Sequence, residues 1–113
     1  MLEGIHLKLI KIESIQILCT NDNIRITKHA GYRLEERNIK LKDVKFGIMS
    51  GEIIEDYPTD HPNPSVLILG FTDKSVPIHV VVGVGDSNIQ IITAYYPSLS
   101  KWEDNLKVRK AAK

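Results

Sequence analysis

The chain has 113 residues, 42% of them hydrophobic, and these values predict one compact domain over residues 1–113. Its 15 Lys and Arg nearly balance its 14 Asp and Glu, which excludes a polybasic nucleic-acid binder of the histone kind. A single cysteine, Cys19, excludes an internal disulfide and a cysteine-based zinc site, and it favours a reducing compartment. No apolar run reaches membrane-spanning length, so we expect a cytoplasmic protein that does not engage a membrane.

The first half of the chain predicts three helices. Apolar residues follow a helical period over residues 5–19, although the isoleucines there also fit the alternation of a strand. Thr27 as an N-cap and Asn38 in a left-handed conformation bound a second helix over residues 28–37. The spacing of apolar residues predicts a third helix over residues 41–49.

The second half predicts strands. Four runs rich in β-branched and aromatic residues cover residues 52–56, 65–72, 76–84 and 89–96. Short polar turns join the last three runs, which predicts an antiparallel meander. Apolar residues at helical spacing after Pro97 predict a short C-terminal helix. The expected fold is therefore α+β, with N-terminal helices packed on a three- to four-stranded antiparallel sheet.

One face of the predicted helix over residues 28–37 carries the groups that a phosphodiester site requires. At about 100° per residue, His29, Tyr32, Arg33 and Glu36 share one face, with Arg37 at its edge. An imidazole can move a proton, and guanidinium groups can hold phosphate charge. The alternative interpretation is structural, with His29 packing the helix and Arg33 pairing with Glu36 on the surface.

Two further candidates lie in the predicted sheet. His79 interrupts an apolar strand, so it is either a hydrogen-bonded core imidazole or a site residue. If the helix over residues 28–37 covers that face, His29 and His79 meet. Tyr95 and Tyr96 end the last strand with their rings on opposite faces, so one can pack while the other contacts a phosphate or a base.

Charge clusters and metal ligands give weaker signals. Lysines at residues 40–45 and a basic C-terminus, with Lys101 and Arg109, fit either contacts to a nucleic-acid backbone or a solvated surface. The four histidines are scattered and show no metal-binding spacing. We therefore expect neither a metal nor another cofactor.

Several strings, in one order along residues 24–109, resemble the bacterial family of domains of unknown function named DUF4258. They include TKHA at residues 27–30, RLEERNI at 33–39, SGEIIEDYP at 50–58, PIHVVV at 77–82 and IITAYYP at 91–97. Members of this family look like relatives of the RelE and BrnT groups of small toxins, which cut messenger RNA without a metal. Some are similar in setting to MqsR-type toxins encoded beside a zinc-finger antitoxin. The resemblance implies helices against an antiparallel sheet, with RNA or the ribosome and a zinc-finger antitoxin as partners.

These observations leave two hypotheses open. The first is a toxin-like, metal-independent endoribonuclease with five site residues, His29, Arg33, Arg37, His79 and Tyr95. The second is a non-catalytic module that binds a protein or a nucleic acid through the same face, as the near-zero net charge favours. The first requires His29, Arg33 and His79 to converge on one open pocket.

Overall fold

Short helices dominate the first half of the chain and strands the second half. The computed structural model describes residues 9–111. Along these residues the elements are α1 (Ile12–Ile17), β1 (Ile24–Ile26), α2 (Lys28–Glu36), α3 (Leu41–Met49), β2 (Glu52–Tyr57), β3 (Ser65–Phe71), β4 (Pro77–Val84) and β5 (Ile89–Tyr95). None of these helices is long and apolar enough to cross a membrane.

The strands of the described residues form one five-stranded mixed sheet in the order β1-β5-β4-β3-β2. Strands β3, β4 and β5 form the antiparallel meander that the sequence predicts. The prediction of a three- to four-stranded antiparallel sheet is nevertheless wrong, because β1 adds a fifth strand that runs parallel to β5. Three residues are too short to show a period of their own, and β1 becomes a strand by pairing with Ile89–Ile91.

The helices agree with the sequence where capping residues bound them. The Thr27 side chain accepts a hydrogen bond from the Ala30 amide at 3.1 Å, and Asn38 has the left-handed φ of 54° that ends the α2 segment. The helix predicted over residues 5–19 is shorter, because α1 comprises only Ile12–Ile17. Residues 5–8 of that prediction lie outside the described part of the chain.

The predicted C-terminal helix is wrong for the part of the chain that the structure describes. Residues 97–111 form turns and a hairpin-like bridge in which Trp102 pairs with Arg109. Leu106 lies at the turn with a φ of 61°, which no helix accommodates. Helical spacing does not determine the conformation of this segment, because its side chains are held by separate contacts to the sheet.

The two faces of the sheet differ in what covers them. On the helical face, Val44 and Ile48 of α3 pack against the buried residues Ile68, Ile78 and Val80. We call the opposite side the second face, and the segment of residues 97–111 covers part of it. Side chains alternate along β4, so His79 points away from the helices and onto the second face.

Candidate functional site

A buried histidine anchors the second face of the sheet. His79 is fully buried, pairs with Tyr95 across β4 and β5, and lies beneath Trp102, whose ring meets the imidazole edge-on at 4.4 Å between centroids. Its Nε2 lies 2.8 Å from the Leu106 carbonyl oxygen, and its Nδ1 lies 3.2 Å from the Tyr95 hydroxyl. Both ring nitrogens therefore have partners, which meets the requirement for a polar group in this position.

These partners fix the tautomer of the imidazole. A carbonyl oxygen only accepts hydrogen bonds, so Nε2 of His79 carries the hydrogen that it donates to Leu106. In the neutral ring Nδ1 is then an acceptor, and the Tyr95 hydroxyl donates to it. Burial lowers the pKa of His79 below its usual 6.5, which favours this neutral form.

An ion-pair network ties residues 97–111 to the edge strand β2. Arg109 donates from Nε to Glu55 Oε2 at 3.0 Å and from Nη2 to Oε1 at 3.1 Å, and its guanidinium lies 4.7 Å from the centroid of Trp102. The Tyr57 hydroxyl also donates to Glu55. Burial alone would raise the pKa of Glu55, but the hydrogen bonds from Arg109 and Tyr57 outweigh it and hold that pKa below 4.5.

An open pocket of about 340 Å³ lies beside this network. Its lining consists of cationic, hydroxyl-bearing and aromatic side chains: Arg37, Tyr95, Tyr96, Ser98, Lys101, Trp102 and Arg109. No carboxylate is among these described lining residues, and Glu55 outside the lining neutralises only Arg109. The Asp43 carboxylate also acts on Tyr96 from outside the lining, but the lining itself carries only positive charge, so the pocket suits an anion of phosphate size. We call it the cationic pocket.

Arg37 reaches the cationic pocket from the end of α2 across the edge of the sheet. Among residues 9–111, strand β1 pairs with Ile89–Ile91, and no described strand covers this edge of β5 beyond them. Arg37 Nη1 donates there to Thr93 Oγ1 at 3.0 Å and to the Ala94 carbonyl at 2.9 Å. These two bonds fix the guanidinium and leave its Nε and Nη2 without a partner among residues 9–111, so they are available to a ligand.

Tyr95 connects the cationic pocket to the buried histidine. Its ring lines the pocket, while its hydroxyl donates to His79 Nδ1. Burial raises the pKa of Tyr95 above its usual 10, so the phenol is un-ionised at neutral pH. The adjacent Tyr96 is 42% exposed at the pocket and offers a free aromatic surface.

The five predicted site residues separate into two groups. Arg37 and Tyr95 line the cationic pocket, and His79 lies buried behind Tyr95, whereas His29 and Arg33 lie on the exposed side of α2. They line a shallow surface pocket with Tyr32, Glu35 and Glu36, and Arg33 Nη1 lies 3.5 Å from Glu36 Oε1. Because α2 belongs to the helical face and His79 to the second face, His29 and His79 do not meet. The open pocket of His29, Arg33 and His79 that the nuclease hypothesis requires does not form, so that form of the hypothesis is wrong.

Sequence reasoning missed three contributors to this site. Glu55 and Tyr57 bind residues 97–111 to the sheet, and the Leu106 carbonyl fixes the His79 tautomer. Their two-residue spacing places Glu55 and Tyr57 on one face of β2, but the predicted strand ends at residue 56, so only part of this signal was available in the sequence. Nothing in the sequence points to the Leu106 carbonyl, because its role depends on the fold of the last segment.

Residues 9–111 contain no group of three or more His, Cys, Asp and Glu side chains arranged to hold a metal ion. The cationic pocket presents cationic and hydroxyl-bearing side chains. Its cations and hydroxyl groups can bind an anion, and the Tyr95 and His79 pair can exchange a proton.

One of three comparisons with known proteins confirms the DUF4258 part of the resemblance seen in the sequence. No curated protein and no solved structure matches the chain significantly. A family model described as a domain of unknown function, DUF4258, matches residues 26–96. The match includes α2, the whole sheet from β2 to β5 and the pocket residues Arg37, Tyr95 and Tyr96, and it ends before Lys101 and Arg109. The chain belongs to the DUF4258 family.

Proposed function

We propose that the protein is a toxin-like, RNA-interacting domain that cleaves RNA without a metal at the cationic pocket. The observation that carries this proposal is the combination of cations, aromatic rings and a histidine-linked tyrosine in one open pocket. A phosphodiester needs positive charge that is fixed in place, and a nucleotide also offers a base that can stack. The cationic pocket provides both kinds of contact within about 340 Å³.

Arg37 and Lys101 are the phosphate ligands in this proposal. Arg37 is already oriented by Thr93 and the Ala94 carbonyl, so little side-chain freedom remains to be lost on binding. When a ribose 2′-hydroxyl attacks the adjacent phosphorus, negative charge grows on the phosphorane oxygens. A donor held in place for such charge is worth roughly 2.7–4 kcal/mol in other enzymes.

Tyr96 supplies the base contact. Its ring is accessible at the pocket, and stacking of one base on an aromatic side chain is worth roughly 1–3 kcal/mol. Binding through one phosphate and one stacked base also agrees with the near-zero net charge, because it needs local rather than overall positive charge.

Arg37 and Arg33 provide a matched test of this proposal. They lie one turn apart near the end of α2, but only Arg37 lines the cationic pocket. We expect the wild-type protein to cleave a short labelled RNA in the presence of a chelator, leaving a 2′,3′-cyclic phosphate. Arg37→Ala should lower the rate constant roughly 10²–10³-fold, as for a lost transition-state donor, and Arg33→Ala should change it less than about twofold.

Free RNA and ribosome-bound RNA should both be tested as substrates, because the proposed cleavage does not specify whether the RNA is bound to a ribosome. Cleavage that requires a divalent metal, or an equal loss in both arginine variants, contradicts the proposal. Binding that depends on Arg37 without any cleavage contradicts the nuclease and supports the alternative of a non-catalytic nucleic-acid-binding module.

A further inference from the structure

The hydrogen bonds around His79 form a directed chain from the cationic pocket into the protein. The Tyr95 hydroxyl at the pocket donates to Nδ1 over 3.2 Å, and Nε2 donates to the Leu106 carbonyl over 2.8 Å. The carbonyl admits only one direction for this chain, because it has no proton to give. The Tyr95 ring lines the pocket, and its hydroxyl oxygen, which donates inward to Nδ1, has lone pairs left to accept a further hydrogen bond.

We propose that Tyr95 is the group that takes the proton from the attacking 2′-hydroxyl, while His79 acts as a positioning residue that receives the phenolic proton. This inference rests on the proposed RNA cleavage, and it names the proton acceptor within the same pocket. His79 is fully buried and touches no substrate, so it acts only through Tyr95. The Leu106 carbonyl, held by the turn of residues 97–111, keeps the ring in the tautomer that this transfer requires.

The proposed step moves two protons and replaces one bond between oxygen and phosphorus with another. The O–H bond of the 2′-hydroxyl breaks as its oxygen forms a bond to phosphorus, and the proton passes to the Tyr95 oxygen. The original phenolic proton passes to His79 Nδ1, so Tyr95 stays neutral. The bond from phosphorus to the 5′-oxygen breaks, and that oxygen takes a proton from water in the open pocket. After product release, His79 returns its proton to solvent through Tyr95.

Charged groups from each surrounding element set the conditions for this transfer. Glu55 of β2 favours a protonated His79, whereas Arg109 of the last segment opposes it, and β5 presents only Tyr95 to the ring. Strand β3 presents the apolar Leu69. Arg37 lies near Tyr95 and favours negative charge on its oxygen. Burial opposes a proton on Nδ1, and the bond to the Leu106 carbonyl and the Glu55 carboxylate partly offset this cost, so the protonated ring is a transient species.

Substitution of both partners gives a direct test. Tyr95→Phe keeps the ring and removes the hydroxyl. His79→Gln keeps groups that can hydrogen-bond to Tyr95 and Leu106, but its amide cannot take up a proton as Nδ1 can. We expect each variant to lower the RNA cleavage rate roughly 10²–10⁴-fold with little change in RNA affinity. The double variant should be no slower than either single variant, because the two residues act as one unit. Tyr32→Phe, an exposed tyrosine outside the cationic pocket, is the matched control.

The pH profile separates this mechanism from a structural role. Wild-type cleavage should fall as the pH drops through the His79 pKa, which lies below 6.5, because a protonated ring cannot accept from Tyr95. The residual activity of Tyr95→Phe should lack this limb. The solvent deuterium isotope effect on the wild-type cleavage rate should indicate two moving protons. This isotope effect should be smaller in Tyr95→Phe.

Two results overturn the inference while the proposed function stands. These are RNA cleavage in Tyr95→Phe within about threefold of wild type, and an unchanged acidic limb in that variant. Loss of activity through misfolding is recognised by circular dichroism and thermal unfolding. If His79→Gln does not fold, the rate and pH profile of Tyr95→Phe decide alone. If wild type shows no RNA cleavage, the proposed function fails and the inference fails with it.

Discussion

The two faces of the sheet are built on different physical principles. The helical face is an apolar core in which helix backbone lies directly against strand backbone. The second face is polar at its centre, with a buried imidazole, an ion pair and two tyrosines covered by a segment without regular secondary structure. The stability of the fold should therefore depend mainly on the helical face, and its chemistry on the second face.

The largest effect is expected where α3 meets β3. A Cβ atom on Gly70 would overlap the Gly47 carbonyl oxygen and lie 2.6 Å from its carbon, so α3 would have to leave the sheet. We expect Gly70→Ala to lower the free energy of unfolding by more than about 4 kcal/mol, in the exceptional range for one substitution. Urea unfolding followed by circular dichroism measures this loss.

Gly83→Ala is the matched control for that substitution. A Cβ on Gly83 would meet Gln90 and Ile92 at 3.5 Å, an ordinary contact, so we expect a loss of about 1 kcal/mol or less. Equal losses in the two variants would contradict the view that the helical face is the tightly packed one.

A smaller loss of stability is expected from substitution of Trp102, which covers part of the second face. Trp102 is 3% exposed and packs against both His79 and Arg109. Trp102→Ala should cost roughly 3 kcal/mol and move the pKa of His79 back toward its usual value, because the imidazole becomes hydrated. Leu99→Ala in the same segment, at a position that is 56% exposed, should change stability by less than about 0.5 kcal/mol. Thermal unfolding and histidine NMR titration check both expectations.

The contrast between the faces also explains how much the sequence could predict. Thr27 and Asn38 bound helix α2, and short polar turns join the strands of the meander. The local sequence was therefore sufficient to predict these elements. The last segment has a helical spacing of Trp102 and Leu106, but its conformation is decided by contacts to His79 and Glu55 that lie far away in the chain. Local patterns cannot report such contacts.

The residues of the candidate site could be predicted from the sequence only in part. Arg37, His79 and Tyr95 were identifiable by residue type, and the structure places them together. The exposed face of α2 was equally rich in suitable groups, but it is a surface that His79 does not share. Periodicity predicts which residues share a helix face, and only the sheet topology decides which face meets the histidine.

The pH dependence of stability should reveal the contribution of the buried His79 on the second face. Because burial lowers the pKa of His79, the unfolded chain binds a proton at this position more readily than the folded protein does. His79 therefore costs no stability above pH 6.5, and stability falls as the pH drops from 6.5 to the lowered pKa. The lowered pKa of Glu55 acts in the same direction below pH 4.5. Urea midpoints between pH 8 and 5, compared for wild type and His79→Gln, isolate the histidine contribution, and parallel curves would contradict it.

The smallest effects distinguish two ion pairs, one on each side of the sheet. Arg33 and Glu36 are 49% and 64% exposed and meet through one contact of 3.5 Å, whereas Arg109 makes two hydrogen bonds to a Glu55 that is only 23% exposed. A double-mutant cycle with alanine should give a coupling of about 0.3 kcal/mol or less for the first pair and about 1 kcal/mol for the second. The difference follows from the forked geometry and from the cover of Glu55, because water screens a carboxylate that is 23% exposed less than one that is 64% exposed. Equal couplings would mean that Arg109 does not hold residues 97–111 against the sheet, and the burial of His79 would then depend on Trp102, on the Leu106 carbonyl and on the ion pair between Lys107 and Glu52.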